Sequence, residues 1–133
     1  MKLPTLSVIV PNYNHGAHLP ACLKALLSQS VPADEIIVID DGSTDNSVEI
    51  IEQLARQHSI IKFYRNDQNR GVIYTFNRGV DLATSQFIAG CGADDEVMPG
   101  YFEKSLRLLA EHPEAGVSAG ICQFKDLGTG LIH

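Results

Sequence analysis

Apolar runs and amphipathic stretches alternate along this chain. Residues 6–10 form a nearly unbroken apolar run, the mark of a strand covered on both faces. Over 17–29 the residues Leu19, Cys22, Leu23, Leu26 and Leu27 recur at helical spacing, and Pro20 falls in the first turn, where a missing N–H does no harm. Residues 35–39 predict a second strand. A helix over 45–58 follows, with Val48, Ile51, Leu54 and Ala55 turned inward. Residues 61–64 predict a third, short strand, and 70–83 a helix whose inward stripe is Val72, Phe76, Val80 and Ala83. Residues 86–90, small and apolar, predict a fourth strand. Residues 99–111 predict a helix with Phe102, Leu106 and Leu109 inward, Pro99 near its start and Pro113 beyond its end. A fifth strand is expected over 116–124, with the chain from there to His133 entering a turn.

Strands separated by helices of this length require crossover connections, hence a mostly parallel sheet with helices on both faces. Right-handed crossovers place every strand-to-helix turn on one edge, and open α/β sheets bind ligands at that carboxyl edge. Without internal repeats or a linker, 133 residues make one domain, 1–133. Ten basic residues against 16 acidic ones leave a net charge of −6, which disfavours a general nucleic-acid binder and an anionic membrane surface. The apolar share of 44% rules out intrinsic disorder, yet no run approaches the ~20 apolar residues that span a bilayer. Cys22, Cys91 and Cys122 are odd in number, widely spaced and without a CxxC, which argues against a disulfide framework; all three occupy apolar positions and are expected in the core. The N-terminus lacks a signal-peptide apolar segment. A reduced, cytoplasmic setting is expected.

Polar and acidic residues collect where the strands end. These ends are Pro11-Asn12-Tyr13-Asn14, Asp40-Asp41-Gly42-Ser43-Thr44-Asp45, Arg65-Asn66-Asp67 leading to Asn69-Arg70-Gly71, and Gly92-Ala93-Asp94-Asp95-Glu96. Adjacent carboxylates at Asp94 and Asp95 repel by about 1 kcal/mol at ~4 Å in water, more in a cleft, and a divalent cation shared with phosphate oxygens removes that cost. A solvated turn capping the next helix accounts for the same residues, since acids favour helix N-termini. In the second cluster, Gly42 permits a tight turn and Ser43 to Asp45 can cap a helix. That leaves two carboxylates at the strand tip, one of which could accept hydrogen bonds from a base or ribose. Tyr13 could stack on a base or pack in its loop. His15 and His18 read as solvated. Arg70 and Arg78 could neutralise a diphosphate, with surface pairing to Asp67 or Asp81 as the default. The chain has neither a GxSxG nucleophile elbow nor a GxxxxGK[ST] phosphate loop.

Taken in order, Ser7-Val-Ile-Val-Pro-Asn-Tyr-Asn14, Ile37-Val-Ile-Asp-Asp-Gly-Ser-Thr-Asp45, Asn69-Arg-Gly71 with Asn77-Arg-Gly79, and Ala93-Asp-Asp95 closely resemble the family 2 glycosyltransferases of GT-A fold, over about residues 5–123. The resemblance implies an α/β, Rossmann-like open sheet and a nucleotide-diphosphate sugar donor, commonly UDP-linked, bound with Mn²⁺ or Mg²⁺. By position, Pro11 and Tyr13 match the loop against the nucleoside, and Asp41 the carboxylate that holds a uracil-type base. Asn69 to Gly71 matches the turn beside base and ribose. Asp94 matches the acid near the ribose and Asp95 the metal ligand of a DxD-type motif. An acid often stands where this chain has Gly92. The implied chemistry is inverting displacement at the anomeric carbon by an acceptor hydroxyl, with a saccharide or lipid-linked acceptor and a role in polysaccharide synthesis.

In this family the catalytic base lies well downstream of the metal motif, in the acceptor-binding half. Glu96, Glu103 and Asp126 do not match it, so the base is expected beyond His133. The expectation is therefore a donor-binding half, truncated at its C-terminal side, whose unpaired sheet edge would favour self-association. Further residues could make the protein peripheral at the inner face of the membrane. Two alternatives are a non-catalytic nucleotide-binding or interaction module of the same fold and a sugar nucleotidyltransferase. The latter normally carries an early Gly-rich basic loop, whereas residues 11–16 hold one Gly and no Lys or Arg.

Overall fold

The computed structural model describes residues 1–126 and 128–133. Four strands, β1 (Leu6–Asn12), β2 (Glu35–Asp40), β3 (Ile61–Arg65) and β4 (Phe87–Gly90), alternate with four helices, α1 (Leu19–Leu27), α2 (Ser47–Gln57), α3 (Val72–Leu82) and α4 (Tyr101–Glu111). The sheet order is β3-β2-β1-β4 and all pairs are parallel. Ser7 lies beside Glu35 and Asn12 beside Asp40, so the tips of β1 and β2 end level. Every element expected up to residue 111 is present, with ends shifted by one or two residues.

Strand alternation sorts the core onto two faces. Leu6, Val8, Val10, Ile36 and Val38 pack with Leu19, Cys22, Leu23 and Leu26 of α1, Ile51 of α2, and Phe102 and Leu106 of α4. The opposite face carries Ile9, Ile37 and Ile39, all fully buried, and α3 lies against β1 and β2 there. Helices thus cover both faces, as the apolar runs of β1 and β2 require.

Three sequence expectations need correction. In α3 the buried residues are Thr75 and Gly79, while Val72 and Val80 are exposed. The cause is close approach: a Cβ on Gly79 would sit 2.3 Å from Ile9 Cγ2, so only small residues can face the sheet, and the larger ones turn to the flanks. The expected fifth strand over 116–124 does not form. Val117, Ile121 and Phe124 stand exposed. The pairing that does form among the described residues is an antiparallel bridge between Lys125 and Ile132, flanked by two backbone hydrogen bonds between Phe124 and His133 of 3.1 and 2.8 Å. The turn expected up to His133 is therefore a small hairpin. Strand structure needs a neighbouring ladder, and residues 116–124 form none with any described strand, although the outer edge of β4 is open. Cys122 lies on this segment and is exposed, unlike Cys22 and Cys91, which are buried with their sulfurs 3.8 Å apart. The hydrogen bond with Cys91, together with burial, pushes the Cys22 thiol up.

At the amino edge, Glu35 is buried yet fully partnered. Its carboxylate accepts hydrogen bonds from Ser7 Oγ at 2.6 Å, the Thr84 N–H at 2.7 Å, Thr84 Oγ1 at 2.8 Å and Lys62 Nζ at 2.5 Å. Burial raises its pKa, but these donors outweigh it and hold the group at about 2. The carboxyl edge is left free for chemistry. No helix among the described residues is long and apolar enough to cross a membrane.

Candidate functional site

The loops after β1 and β2 clamp one another. Asn12 Nδ2 donates to Asp40 Oδ1 (3.0 Å) and Ser43 Oγ (3.2 Å), and the Asn14 N–H donates to Ser43 Oγ (2.9 Å). Asn14 has a positive φ of 56°, which asparagine tolerates, and its Oδ1 accepts the N–H groups of Thr44 and Asp45. Asp45 in turn accepts the Gly16 N–H at 2.8 Å and the Ser47 N–H at 3.0 Å, which caps the start of α2. Burial works against its ionised form, but those hydrogen bonds keep its pKa low. The helix-capping role expected for this stretch is therefore real, and it leaves Asp40 and Asp41 to be explained.

Asp40 is a structural acid: it accepts the Ser43 N–H at 3.0 Å, and Arg65 Nε lies 3.4 Å away. Asp41 organises the neighbouring loop. Its Oδ1 accepts Asn66 Nδ2 (2.7 Å) and the Arg70 N–H (2.8 Å), and its Oδ2 accepts the Gly71 N–H (2.8 Å). Although burial pushes the Asp41 carboxyl up, these donors lower it on balance and favour the carboxylate. Gly42 (φ 76°) allows the loop to come this close, for a Cβ there would meet Asn69 N and Gln68 C at 2.8 Å. Gly71, at φ 88°, starts α3. Asn69 Oδ1 accepts the same Gly71 N–H at 3.0 Å. Asp41, Asn69 and Gly71, expected to share a site, thus form one hydrogen-bonded unit.

Asn66 completes that unit, and sequence reasoning does not single it out. It is buried at the tip of β3, where Nδ2 also donates to Thr75 Oγ1 (2.9 Å) and Oδ1 accepts Arg78 Nη1 (2.6 Å). Its position directly after a strand, beside the Asp40-Asp41 tip, is the available signal. Arg78 is corrected accordingly: rather than pairing with Asp67 or Asp81, it donates to Asn66 and to the Arg65 carbonyl, with its guanidinium 5.8 Å from the Tyr64 ring centroid. Arg70 does pair with Asp67, through two hydrogen bonds of 3.1 and 2.9 Å, and lies over Tyr74.

On the other side of β1, Asp94 and Asp95 are exposed on the turn after β4. Both carboxylates fold back over Gly92, so that a Cβ placed there would meet Asp94 Oδ1 and Asp95 Oδ2, each at 2.9 Å. A glycine where the resembled family often has an acid therefore leaves a cradle into which two carboxylates converge. Among the described residues no three His, Cys, Asp or Glu side chains gather as a complete cage. The donor set fits a hard cation that takes one or two protein carboxylates and completes its shell with phosphate and water. Pro11, half-buried, and Tyr13, 42% exposed, stand at the β1 tip between the Asp41 unit and this pair. His15 is half-buried and His18 exposed, with ring centroids 6.2 Å apart.

The catalytic base, expected beyond His133, is assigned to no described residue. His133 itself is exposed, and its backbone N–H and carbonyl are engaged with Phe124 in the terminal hairpin. It joins neither the Asp41 unit nor the Asp94–Asp95 pair. Glu103 is bound to Ser30 and Arg107, and Asp126 accepts the N–H groups of Gly128 and Thr129. Both acids thus have local structural partners.

Comparison with known proteins bears on this geometry. Residues 7–130 match the family model described as Glycosyl transferase family 2. The uncharacterized glycosyltransferase YibD of Escherichia coli is 41% identical over 106 residues, 80% of this chain and 30% of that protein. The putative glycosyltransferase EpsH of Bacillus subtilis is 31% identical over 128 residues, 96% of this chain and 37% of that protein. The chain spans about a third of the length of these relatives. Among solved structures, Staphylococcus aureus TarS 1–349 in complex with UDP-GlcNAc superposes with a TM-score of 0.76 at 28% identity, covering 82% of this chain and 32% of that one. The mannosyltransferase PcManGT of Pyrobaculum calidifontis, in complex with GDP-Man and Mn²⁺, gives a TM-score of 0.70 at 25% identity, covering 75% of this chain and 30% of that one. The fold is that of the GT-A glycosyltransferases.

Proposed function

The chain belongs to glycosyl transferase family 2, and on that premise we propose that residues 1–133 form the donor-binding half of an inverting, cation-dependent glycosyltransferase. The observation that carries this reading is the convergence of Asp94 and Asp95 over Gly92, on the same sheet edge as the Asp41 loop. The family neighbours solved with UDP-GlcNAc, or with GDP-Man and Mn²⁺, support a nucleotide-sugar donor. In this reading Pro11 and Tyr13 lie against the nucleoside, and Asp41 accepts a hydrogen bond from the base. Asn69 and Gly71 border base and ribose, and Asp94 approaches the ribose.

The reaction joins an acceptor hydroxyl oxygen to the anomeric carbon of the sugar while the bond from that carbon to the diphosphate breaks. The electron pair leaves with the nucleoside diphosphate, and the hydroxyl proton goes to a base in the acceptor-binding half, beyond His133. Asp95, with Asp94 beside it, would hold Mn²⁺ or Mg²⁺, which when bound offsets the charge growing on the departing diphosphate. The chain's own residues bind and orient: the Asp41 unit fixes the nucleoside end, so that the diphosphate reaches the carboxylate pair. The acceptor, in this reading, is a saccharide or a lipid-linked saccharide, and the product a polysaccharide.

Isothermal calorimetry of the chain with UDP, with and without Mn²⁺, beside an Asp95→Ala variant tests the proposal. UDP binding that is strengthened by Mn²⁺, and loses that strengthening in Asp95→Ala, is expected. Absence of nucleotide binding by a chain that is folded by circular dichroism would overturn the reading.

A further inference from the structure

The segment that carries Asp94 and Asp95 runs from residue 91 to 100 without helix or strand. Its start is fixed by the sheet, where the Cys91 N–H donates to the Ile9 carbonyl at 3.0 Å. Its far end enters α4 at Gly100, which has no side chain to cap the helix. Gln29, two residues beyond the end of α1, makes the connection there. The residue is buried, at 6% exposure. Its Nε2 donates to the carbonyls of Val97 (3.3 Å) and Met98 (3.0 Å), and to that of Ala25 in the last turn of α1 (3.2 Å). Its Oε1 accepts the Phe102 N–H, in the first turn of α4, at 3.3 Å. One amide thus serves a carbonyl orphaned at the end of one helix and an N–H orphaned at the start of another. Among the described residues, the other side-chain hydrogen bond that ties this segment to α1 is the weaker one from Cys22 Sγ to the Gly92 carbonyl, at 3.4 Å.

We propose that Gln29 is a positioning residue for the cation: it holds the far end of the acidic turn, so that Asp94 and Asp95 stay converged over Gly92. The inference rests on the reading of that pair as the cation and diphosphate site. Ala93 is buried and Val97 packs against the core, while Asp94, Asp95 and Glu96 between them are exposed. The turn is therefore pinned at two apolar points with three acids between. Carboxylates that share a point repel, and a turn free at one end would let them part. Val97 follows Asp95 by two residues, so fixing its carbonyl limits how far Asp95 can swing. A small hard cation demands near-ideal ligand geometry, and a restrained pair loses less freedom on binding it. Glutamine suits the position because its amide both donates and accepts. An apolar side chain of similar length would fill the space and leave the Val97 and Met98 carbonyls and the Phe102 N–H unpaired.

Calorimetric titration of the intact chain with UDP, alone and with Mn²⁺, expresses the cation's strengthening as a ratio of two affinities. In Gln29→Met that ratio should fall by about tenfold, the lower end of what loss of a group supporting a metal ligand costs, while UDP binding without cation stays as in the unmutated chain. A merely structural role would weaken UDP binding with and without Mn²⁺ alike and leave the ratio unchanged, which would overturn the proposal. A second measurement needs no variant. If opening the Gln29 contacts weakens cation binding tenfold, then by reciprocity a bound cation disfavours that opening tenfold. Hydrogen exchange of the Phe102 N–H, followed by NMR with diamagnetic Mg²⁺ in place of Mn²⁺, should therefore slow by about tenfold with UDP and Mg²⁺ relative to UDP alone. An unchanged exchange rate would overturn the proposal even if Gln29→Met does not fold. Strengthening by Mn²⁺ in the unmutated chain that persists in a folded Gln29→Met would overturn this inference and leave the cation site intact. No strengthening by Mn²⁺ in the unmutated chain would overturn both.

Discussion

Replacing Glu35 by glutamine isolates the contribution of one buried charge. The residue opens β2 and joins three elements, accepting from Ser7 on β1, Lys62 on β3 and Thr84 in the turn before β4. Burial disfavours its charged form, yet the surrounding donors hold the pKa at about 2 instead of the ordinary 4.5. That difference corresponds to about 3 kcal/mol of stability in favour of the ionised folded state. The sign follows from linkage. A depressed folded-state pKa means the contribution is complete above the ordinary pKa and is lost as pH falls towards the folded value. Glutamine keeps the shape and one acceptor but turns an N–H₂ towards the Lys62 ammonium. Near neutral pH the variant should be less stable by about 3 kcal/mol, a fall in melting temperature of roughly 10 °C for a domain of this size. Thermal melts followed by circular dichroism, for both proteins from pH 7 down to about pH 2, measure the gap. Other carboxylates titrate alike in the two proteins, so the gap should narrow steadily below about pH 4.5 and nearly close by pH 2. A gap of the same size at every pH would refute the argument, because it would mean that shape and packing, not charge, stabilise the site.

Gly79→Ala places a Cβ against Ile9 and should destabilise by about 1–3 kcal/mol, read as a lower denaturation midpoint with an unchanged m-value. Titration with a chromogenic disulfide reagent should find one fast thiol, Cys122, and two that react only on unfolding, Cys22 and Cys91; three fast thiols would contradict the core packing. We also propose self-association. The outer edge of β4 has no partner strand among the described residues, Ile88 on it is 42% exposed, and a hollow of about 290 Å³ lined by β4, α4 and residues 116–118 lies beside it. Light scattering coupled to size-exclusion chromatography should show species larger than one chain that Ile88→Lys suppresses, and a clean monomer would count against it.

How much of this is legible in the sequence depends on the range of the forces involved. β1 and β2 are readable because both faces are covered, so the apolar run is continuous and needs no knowledge of a partner. The inward face of α3 is misread because the controlling quantity there is interaxial distance. A helix drawn this close to Ile9 selects Gly79 and Thr75, which score as poor core residues on any hydrophobic scale. The fifth strand fails for the opposite reason: Val117, Ile121 and Phe124 have strand-like character, but a ladder is a property of two segments. At the site, Asp41, Asn69 and Gly71 are legible as polar residues at strand ends. Asn66 is not, because its importance comes from filling three hydrogen bonds at once across β3, β2 and α3, a closure that no local pattern encodes.

The two halves of the site are built on contrasting terms, and on the donor-site reading the contrast has a use. The Asp41 unit is buried, its carboxylate is oriented by Asn66 and by the Arg70 and Gly71 N–H groups, and its loop is fixed by glycines that permit positive φ and close approach. Such a unit needs no rearrangement to receive a base, so little of the binding energy is lost in ordering it. The Asp94–Asp95 pair is exposed, and among the described residues nothing neutralises two carboxylates that converge on one point. Their repulsion, about 1 kcal/mol at ~4 Å in water, becomes larger as a ligand excludes solvent. A diphosphate alone would add negative charge to that point, and a cation alone would find an incomplete oxygen shell. Together they satisfy one another, so the rigid half can register the nucleoside while the exposed half remains poorly occupied until diphosphate and cation arrive as a unit.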